Sequence, residues 1–195
     1  MLIATLIANP DRPVLTPSLA EKAMAAVGGR QLYWLADGIA ADLPLPDGLG
    51  AGAALSVVRQ NLDGIPIDIV VQNESERRKK LLIADMDSTM IDQECIDELA
   101  DVAGLKDHVA AITAKAMNGE IPFEDALRER VALLKGLAET VVADVIRDRI
   151  TLAAGGRELV ATMRRNGART ALVSGGFTSF TDPIAAKLGF QENQA

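Results

Sequence analysis

The sequence predicts an α/β protein: a parallel-sheet domain carrying an all-helical insertion, preceded by a small α+β domain. Three observations predict it. Two apolar runs, LLIAD (81–85) and ALVSGG (171–176), each end in polar or glycine residues, as parallel strands do where the chain turns toward a helix. Between them, residues 92–150 carry almost unbroken helical patterning. Residues 1–72 alternate strand-like and helix-like runs in the order β-α-β-(β)-α-β.

Element by element, LIATLIAN (2–9) reads as a strand. Thr16-Pro17 gives an N-cap with proline in the first helical position, and Gly28-Gly29 stops that helix. RQLYWLA (30–36) reads as a second strand, and the turn-rich residues 38–50 leave room for a short third. AALSVVRQNL (53–62) is helical and IDIVVQ (67–72) extended. NESERRKK (73–80) is polar, has four consecutive basic residues and lacks apolar periodicity, so it reads as a solvated linker. LLIAD has the continuous apolar pattern of a central strand buried on both faces. Four short helices follow, closing at Gly104, at Asn118-Gly119, at Gly136 and near Ile150, a compact bundle. GGRELVATMRRNG is a helix, ARTALVSGG a strand into a glycine turn, and FTSFTDPIAAKLGF a last helix with Pro183 inside it.

Composition narrows the function. The 195 residues are 49% hydrophobic, enough for a packed core, and the net charge is −7. An acidic chain with only 3% aromatics lacks the basic face and stacking rings of a nucleic-acid binder. Cys95 is the only cysteine, so no intrachain disulfide forms and a reducing cytoplasm fits. MLIATLIANPDRP has no basic n-region and breaks at Asn9-Pro10, reading as neither signal peptide nor membrane anchor.

The chemistry concentrates in ADMDSTMI (84–91). In an extended segment residues i and i+2 face the same way, so Asp85 and Asp87 converge while Met86 points elsewhere. Two carboxylates at the C-terminal end of a parallel strand suit a divalent cation, and magnesium takes few carboxylates plus a phosphate oxygen. Ser88 and Thr89 add hydroxyls and backbone N–H groups, the makings of an anion site. Alone, such a D-x-D reads rather as an acidic turn capping the next helix. ALVSGG repeats the design: Ser174 has a hydroxyl for a phosphate oxygen, and Gly175 and Gly176 let backbone N–H groups approach it. Alone, S-G-G is an ordinary turn. Together the two stretches describe a phosphate pocket between two strand ends.

DMDST, a helical insertion and LVSGGF together resemble the haloacid-dehalogenase-like superfamily of phosphotransferases. ADMDSTMIDQECIDELA, GEIPFEDALRERVALLKGL and LVSGGFTSF narrow the similarity to its phosphoserine phosphatases, over residues 80–190. The resemblance implies a Rossmann-like core (81–195) with a helical cap inserted at about 92–150. By element order and position only, residues 1–72 resemble an ACT-like domain, which implies amino-acid sensing and a possible homodimer. The phosphatase resemblance further implies Asp85 as nucleophile, Asp87 as general acid/base, and magnesium held by the Asp85 carboxylate and the Asp87 backbone carbonyl. Ser174 and Gly175 match phosphate-binding positions. Glu94 matches the position that senses the substrate ammonium, and Arg130 the one that pairs with its carboxylate. Met117 and Phe123 match apolar cap residues that close over the substrate. Unaided, Arg130 reads as a solvated helix charge and Phe123 as core. His108 is expected at the surface and Cys95 in packing. The partner so implied is a small molecule, phosphoserine, with no nucleic acid and no membrane, in the last step of serine synthesis.

The chain also departs from the family pattern. That pattern carries a later lysine and a G-D-G-x-N-D-like loop, neither of which occurs before GFQENQA; Lys187 is too early to be that lysine. The 195 residues by themselves are therefore expected to show little activity, and the sheet to have an open apolar edge. An inactive fragment, an amino-acid-binding module and a different small-molecule phosphatase are the alternative expectations.

Overall fold

Alternate residues of the first strand, β1 (Leu2–Ala8), send Ala4, Leu6 and Ala8 into a fully buried layer. The computed structural model describes all 195 residues and divides them into two units, Met1–Arg78 and Lys79–Ala195. The first continues with α1 (Pro17–Ala26), β2 (Tyr33–Ala36), β3 (Ala40–Pro44), α2 (Ala51–Asn61) and β4 (Ile67–Asn73). The third strand left open by the turn-rich stretch is thus real. The sheet is antiparallel, ordered β2-β3-β1-β4, a β-α-β-β-α-β sandwich. Ala4, Leu6, Ala41 and Leu43 pack with Ala20, Ala23, Ala54 and Val58 of the two helices. The Thr16 hydroxyl accepts from the Leu19 N–H, and Pro17 occupies the start of α1, as its sequence predicts.

The opposite face of this sheet is not simply solvated. Asp42 of β3 is buried there, accepting from the Thr5 hydroxyl at 2.7 Å and from the Arg77 guanidinium. Arg77 follows a single 3-10 turn, Glu74–Glu76. The expectation of a wholly solvated stretch at 73–80 is therefore corrected: one of its four basic residues is an anchor, because a buried carboxylate needs a cation.

The second unit begins with β5 (Leu81–Ala84) and continues through α3 (Cys95–Val102), α4 (Lys106–Met117), α5 (Phe123–Leu133) and α6 (Thr140–Asp148). It returns through α7 (Gly156–Arg165) to β6 (Arg169–Val173), α8 (Thr178–Leu188) and β7 (Glu192–Gln194). The three strands are parallel in the order β5-β6-β7. Met86, Leu172, Val160, Phe180, Ile184 and Leu188 form one core on the side of α7 and α8. The other side is open. Leu81 and Ile83 are 55% and 61% exposed and Val173 is 41% exposed. This corrects the reading of LLIAD as a central strand buried on both faces: β5 lies at the edge, and its apolar residues alternate inward and outward. β7 is a strand without a sequence signal. Its residues are polar, and it forms because β6 offers a free edge, sealed by Gln191–Thr170 hydrogen bonds and an Arg169–Glu192 ion pair of 2.8 Å.

The four insertion helices leave and rejoin the sheet through two adjacent crossings. Ile91 bridges Leu152, the Asp92 N–H donates to Thr151 O, and the Ala153 N–H donates to Met90 O. The Gln93 amide then grips Thr151 twice: its nitrogen donates to the threonine hydroxyl at 3.2 Å, and its oxygen accepts the Thr151 N–H at 2.8 Å. No helix in the molecule is long and apolar enough to cross a membrane.

Candidate active site

β5 and β6 lie side by side in parallel, so the turns that follow them meet at one end of the sheet. Asp85 and Asp87 leave β5 on one side while Met86, fully buried, points into the core, the alternation that converges the two carboxylates. Ser174 leaves β6, and its hydroxyl lies 3.3 Å from Asp87 Oδ2. The other oxygen, Asp87 Oδ1, accepts the Cys95 N–H at 2.8 Å. Cys95 is the first residue of α3, so Asp87 caps that helix from a distance and its charge meets the favourable end of the helix dipole.

Space beside this pair is tight. A Cβ on Gly176 would stand 3.1 Å from Ser174 Oγ and 3.4 Å from Asp87 Oδ2. The Gly176 N–H donates to Ser174 Oγ at 3.0 Å, which orients the serine instead of reaching a ligand. The Gly175 N–H has no partner within the chain, and a Cβ on Gly175 would meet nothing within 4 Å. The expectation that both glycines present N–H groups to an anion is thus corrected to Gly175 alone. A similar correction applies to Ser88 and Thr89. Their N–H groups bond to Gln93 O and Met86 O, and the Ser88 hydroxyl donates to Glu94 Oε1 at 2.7 Å. The turn consumes its backbone donors and the Ser88 hydroxyl, which leaves only the Thr89 hydroxyl of the expected anion donors.

Asp85, Asp87, Glu94, Phe123, Arg130, Ser174 and Gly175 all line one cavity of about 360 Å³. Arg130 is half-buried. Its Nε donates to Ala126 O at 3.3 Å and a terminal nitrogen to the Thr113 hydroxyl at 3.4 Å; neither contact is to a carboxylate. Its charge therefore remains available to an anionic ligand. Met117 stands apart. It ends α4, is 83% exposed, and does not reach the cavity wall. Leu127 and Val131 do reach it, and sequence reasoning missed them. Phe123, Leu127, Arg130 and Val131 form an i, i+4, i+7, i+8 stripe on α5, a signal visible in the sequence once one member is placed. Cys95 also touches the cavity. Burial, a hydrogen bond to Asp87 and the charges of Asp87, Glu94 and Glu98 all push its thiol well above the ordinary range. It stays protonated and unreactive, in keeping with packing. His108 is exposed on α4.

The donor set suits a hard cation only in part. No three His, Cys, Asp or Glu side chains are arranged closely enough to hold a metal ion by themselves. Asp85 Oδ1 accepts the adjacent Met86 N–H at 2.8 Å, leaving Oδ2 outward, and the Asp87 carbonyl accepts no hydrogen bond. Magnesium, which uses one or two carboxylates and keeps several waters, fits such a partial shell.

Comparison with known proteins agrees with this geometry. Residues 82–194 match the haloacid dehalogenase-like hydrolases. The chain is 46% identical over 134 residues to a phosphoserine phosphatase of Archaeoglobus fulgidus, covering 68% of this chain and 39% of that protein. A haloacid dehalogenase-family hydrolase from Salmonella enterica serovar Typhi superposes on 99% of this chain and 66% of its own, with TM-score 0.77 and 27% identity. A phosphoserine phosphatase solved as a phospho-aspartyl intermediate analogue is 42% identical, with TM-score 0.54, over 59% of this chain and 55% of its own. Among the curated relatives the matched stretch spans from 32% to 54% of their length. The chain belongs to the haloacid dehalogenase-like hydrolase family.

Proposed function

We propose that this protein hydrolyses O-phosphoserine to serine and phosphate through a phosphorylated Asp85. The observation that carries the reading is the single cavity that brings the Asp85–Asp87 pair and the Ser174–Gly175 turn together with Glu94 and Arg130. Phosphoserine has three charged groups, and each meets a complement: the phosphate at Ser174 and the Gly175 N–H, the ammonium at Glu94, the carboxylate at Arg130. A guanidinium binds a carboxylate through two parallel hydrogen bonds. Phe123, Leu127 and Val131 supply the apolar wall that keeps water from the bound ester.

In the first step the outward Oδ2 of Asp85 attacks phosphorus and the bond to the seryl oxygen breaks. Asp87, in its acid form, gives that oxygen its proton. Its two oxygens have separate tasks. Oδ1 is fixed by the Cys95 N–H, whereas Oδ2 has only the longer Ser174 contact, from a hydroxyl that can rotate away. Oδ2 is therefore the proton carrier. In the second step Asp87 takes a proton from water, the water oxygen attacks phosphorus, and the acyl-phosphate bond breaks to restore Asp85. Magnesium, when bound by the Asp85 carboxylate and the Asp87 carbonyl, supplies positive charge against the phosphoryl oxygens.

The test, run on a chain extended through the later lysine and G-D-G-x-N-D-like loop of the family pattern, is phosphate release from O-phosphoserine with magnesium present, followed by borohydride reduction of the phosphorylated protein. Reduction converts a phosphorylated aspartate to homoserine, which is expected in the peptide that contains Asp85. Homoserine elsewhere overturns the mechanism, and turnover of amine-free esters alone overturns the substrate.

The same reading assigns residues 1–72 to ACT-like pairing with a second copy and amino-acid sensing. Its support is the β-α-β-β-α-β sandwich with Ile7, Tyr33, Leu35 and Val70 exposed. Sedimentation that finds only monomer, and calorimetry without amino-acid binding at millimolar concentration, would remove it.

A further inference from the structure

We propose that Ser88 is the positioning residue that aims Glu94 at a substrate ammonium group, an inference that rests on the phosphoserine reading above. Ser88 is the only non-glycine residue with positive φ, at 51°. Serine seldom adopts this left-handed conformation, which persists where surrounding structure demands it. Here it has an identifiable product. The turn closes through the Ser88 N–H on Gln93 O at 3.1 Å, and the Ser88 hydroxyl reaches Glu94 Oε1 at 2.7 Å.

The behaviour of Glu94 supplies the second observation. Glu94 occupies the N-cap of α3, where a side chain ordinarily accepts from the helix N–H groups, yet it makes no such bond. Asp87 accepts the Cys95 N–H instead. Glu94 is thereby released from capping, and the Ser88 hydroxyl is its single side-chain hydrogen-bond partner. Oε2 carries no donor from the protein. A neutral hydroxyl orients the carboxylate without cancelling its charge, as a lysine or arginine would. A flexible glutamate held in one arrangement loses less freedom when its ligand arrives.

The experiment, in the same extended chain, compares kcat/KM for O-phosphoserine with that for the phosphate ester of 3-hydroxypropanoate, which holds phosphate and carboxylate at the same spacing but has no amine. The ratio is expected to fall roughly tenfold in both Ser88→Ala and Ser88→Gly, because a hydrogen bond to a charged group is lost. The fall should appear in KM for phosphoserine. In a Glu94→Gln background, Ser88→Ala should add no further loss, since both act on one interaction. Ser88→Gly should melt a few degrees above Ser88→Ala, because glycine accepts the positive φ. That keeps a well-folded variant without the hydroxyl in hand. A wild-type preference for phosphoserine that survives in both single variants overturns the role of Ser88 alone. So does a full, additive loss in the Glu94→Gln background. A wild type with no preference between the two esters overturns the phosphoserine reading, and the role of Ser88 with it.

Discussion

The two sheets treat their carboxylates in opposite ways. In the first unit Asp42 sits mid-strand, 3% exposed, with a hydroxyl on one oxygen and a guanidinium on the other. In the second, Asp85 and Asp87 stand just past a strand end and receive only neutral donors. The first arrangement neutralises a buried charge within the fold. The second keeps two carboxyl groups close together with no cation beside them, an arrangement whose favourable completion is a ligand that brings cations. A paired carboxylate is thus part of the scaffold, while a pair of carboxylates without a cation marks a site.

The sharpest way to break this contrast is Asp85→Asn. It should lower phosphoserine turnover by roughly 10⁴-fold or more, as loss of a nucleophile does. Melting should change little, because no ion pair is removed. Loss of fold in place of loss of chemistry would erase the distinction. The mirror image is Arg77→Met, which leaves Asp42 buried without a cation and should destabilise the first unit by about 3 kcal/mol. Trp34, the only tryptophan, packs against that unit's core, so its fluorescence should report a midpoint lower by roughly 12 °C or more. An unchanged midpoint would mean water substitutes for the guanidinium.

Arg130→Ala comes next. It should reduce selection of phosphoserine over an ester lacking the carboxylate about 30-fold, the cost of a lost charge-assisted contact. Equal loss on both esters would make Arg130 structural. The smallest effect belongs to the exposed network in which Arg149 contacts Glu98 and Asp101. The Arg149 hydrogen bond, then Lys106, holds the Asp101 carboxyl below its usual range. A lowered carboxylate pKa contributes stability at neutral pH and loses it as pH falls through the lowered value. Arg149→Ala should therefore melt slightly below wild type at pH 7, and the gap should close below about pH 3.9.

Sequence legibility follows the same divide between local and long-range causes. The insertion helices were readable because three of the four end on their own glycine, and the strand-end carboxylates because period-two alternation is local. Arg77 was not. Nothing near it in sequence shows that Asp42, 35 residues away, is buried. β7 was hidden because its pairing partner, and not its composition, makes it a strand. The backbone donors of Ser88, Thr89 and Gly176 read as anion ligands from residue type alone, but turn closure claims them first. Met117 and Val131 show the limit from the other side: which residues of a helix face a cavity depends on the rotation of the whole helix.

The Gln93–Thr151 clasp has a mechanical consequence. Two single crossings would let the helical insertion slide, twist or tilt independently over the sheet. Joined by the Ile91–Leu152 bridge and the reciprocal amide contacts, they become a narrow ribbon. A ribbon flexes easily across its thin direction and resists in-plane shear, which would stretch every hydrogen bond along it at once. A swing about the ribbon is then the soft direction expected of the insertion: Glu94 directly follows Gln93 and lies beside the pivot, whereas Phe123 and Arg130 sit on α5, away from it.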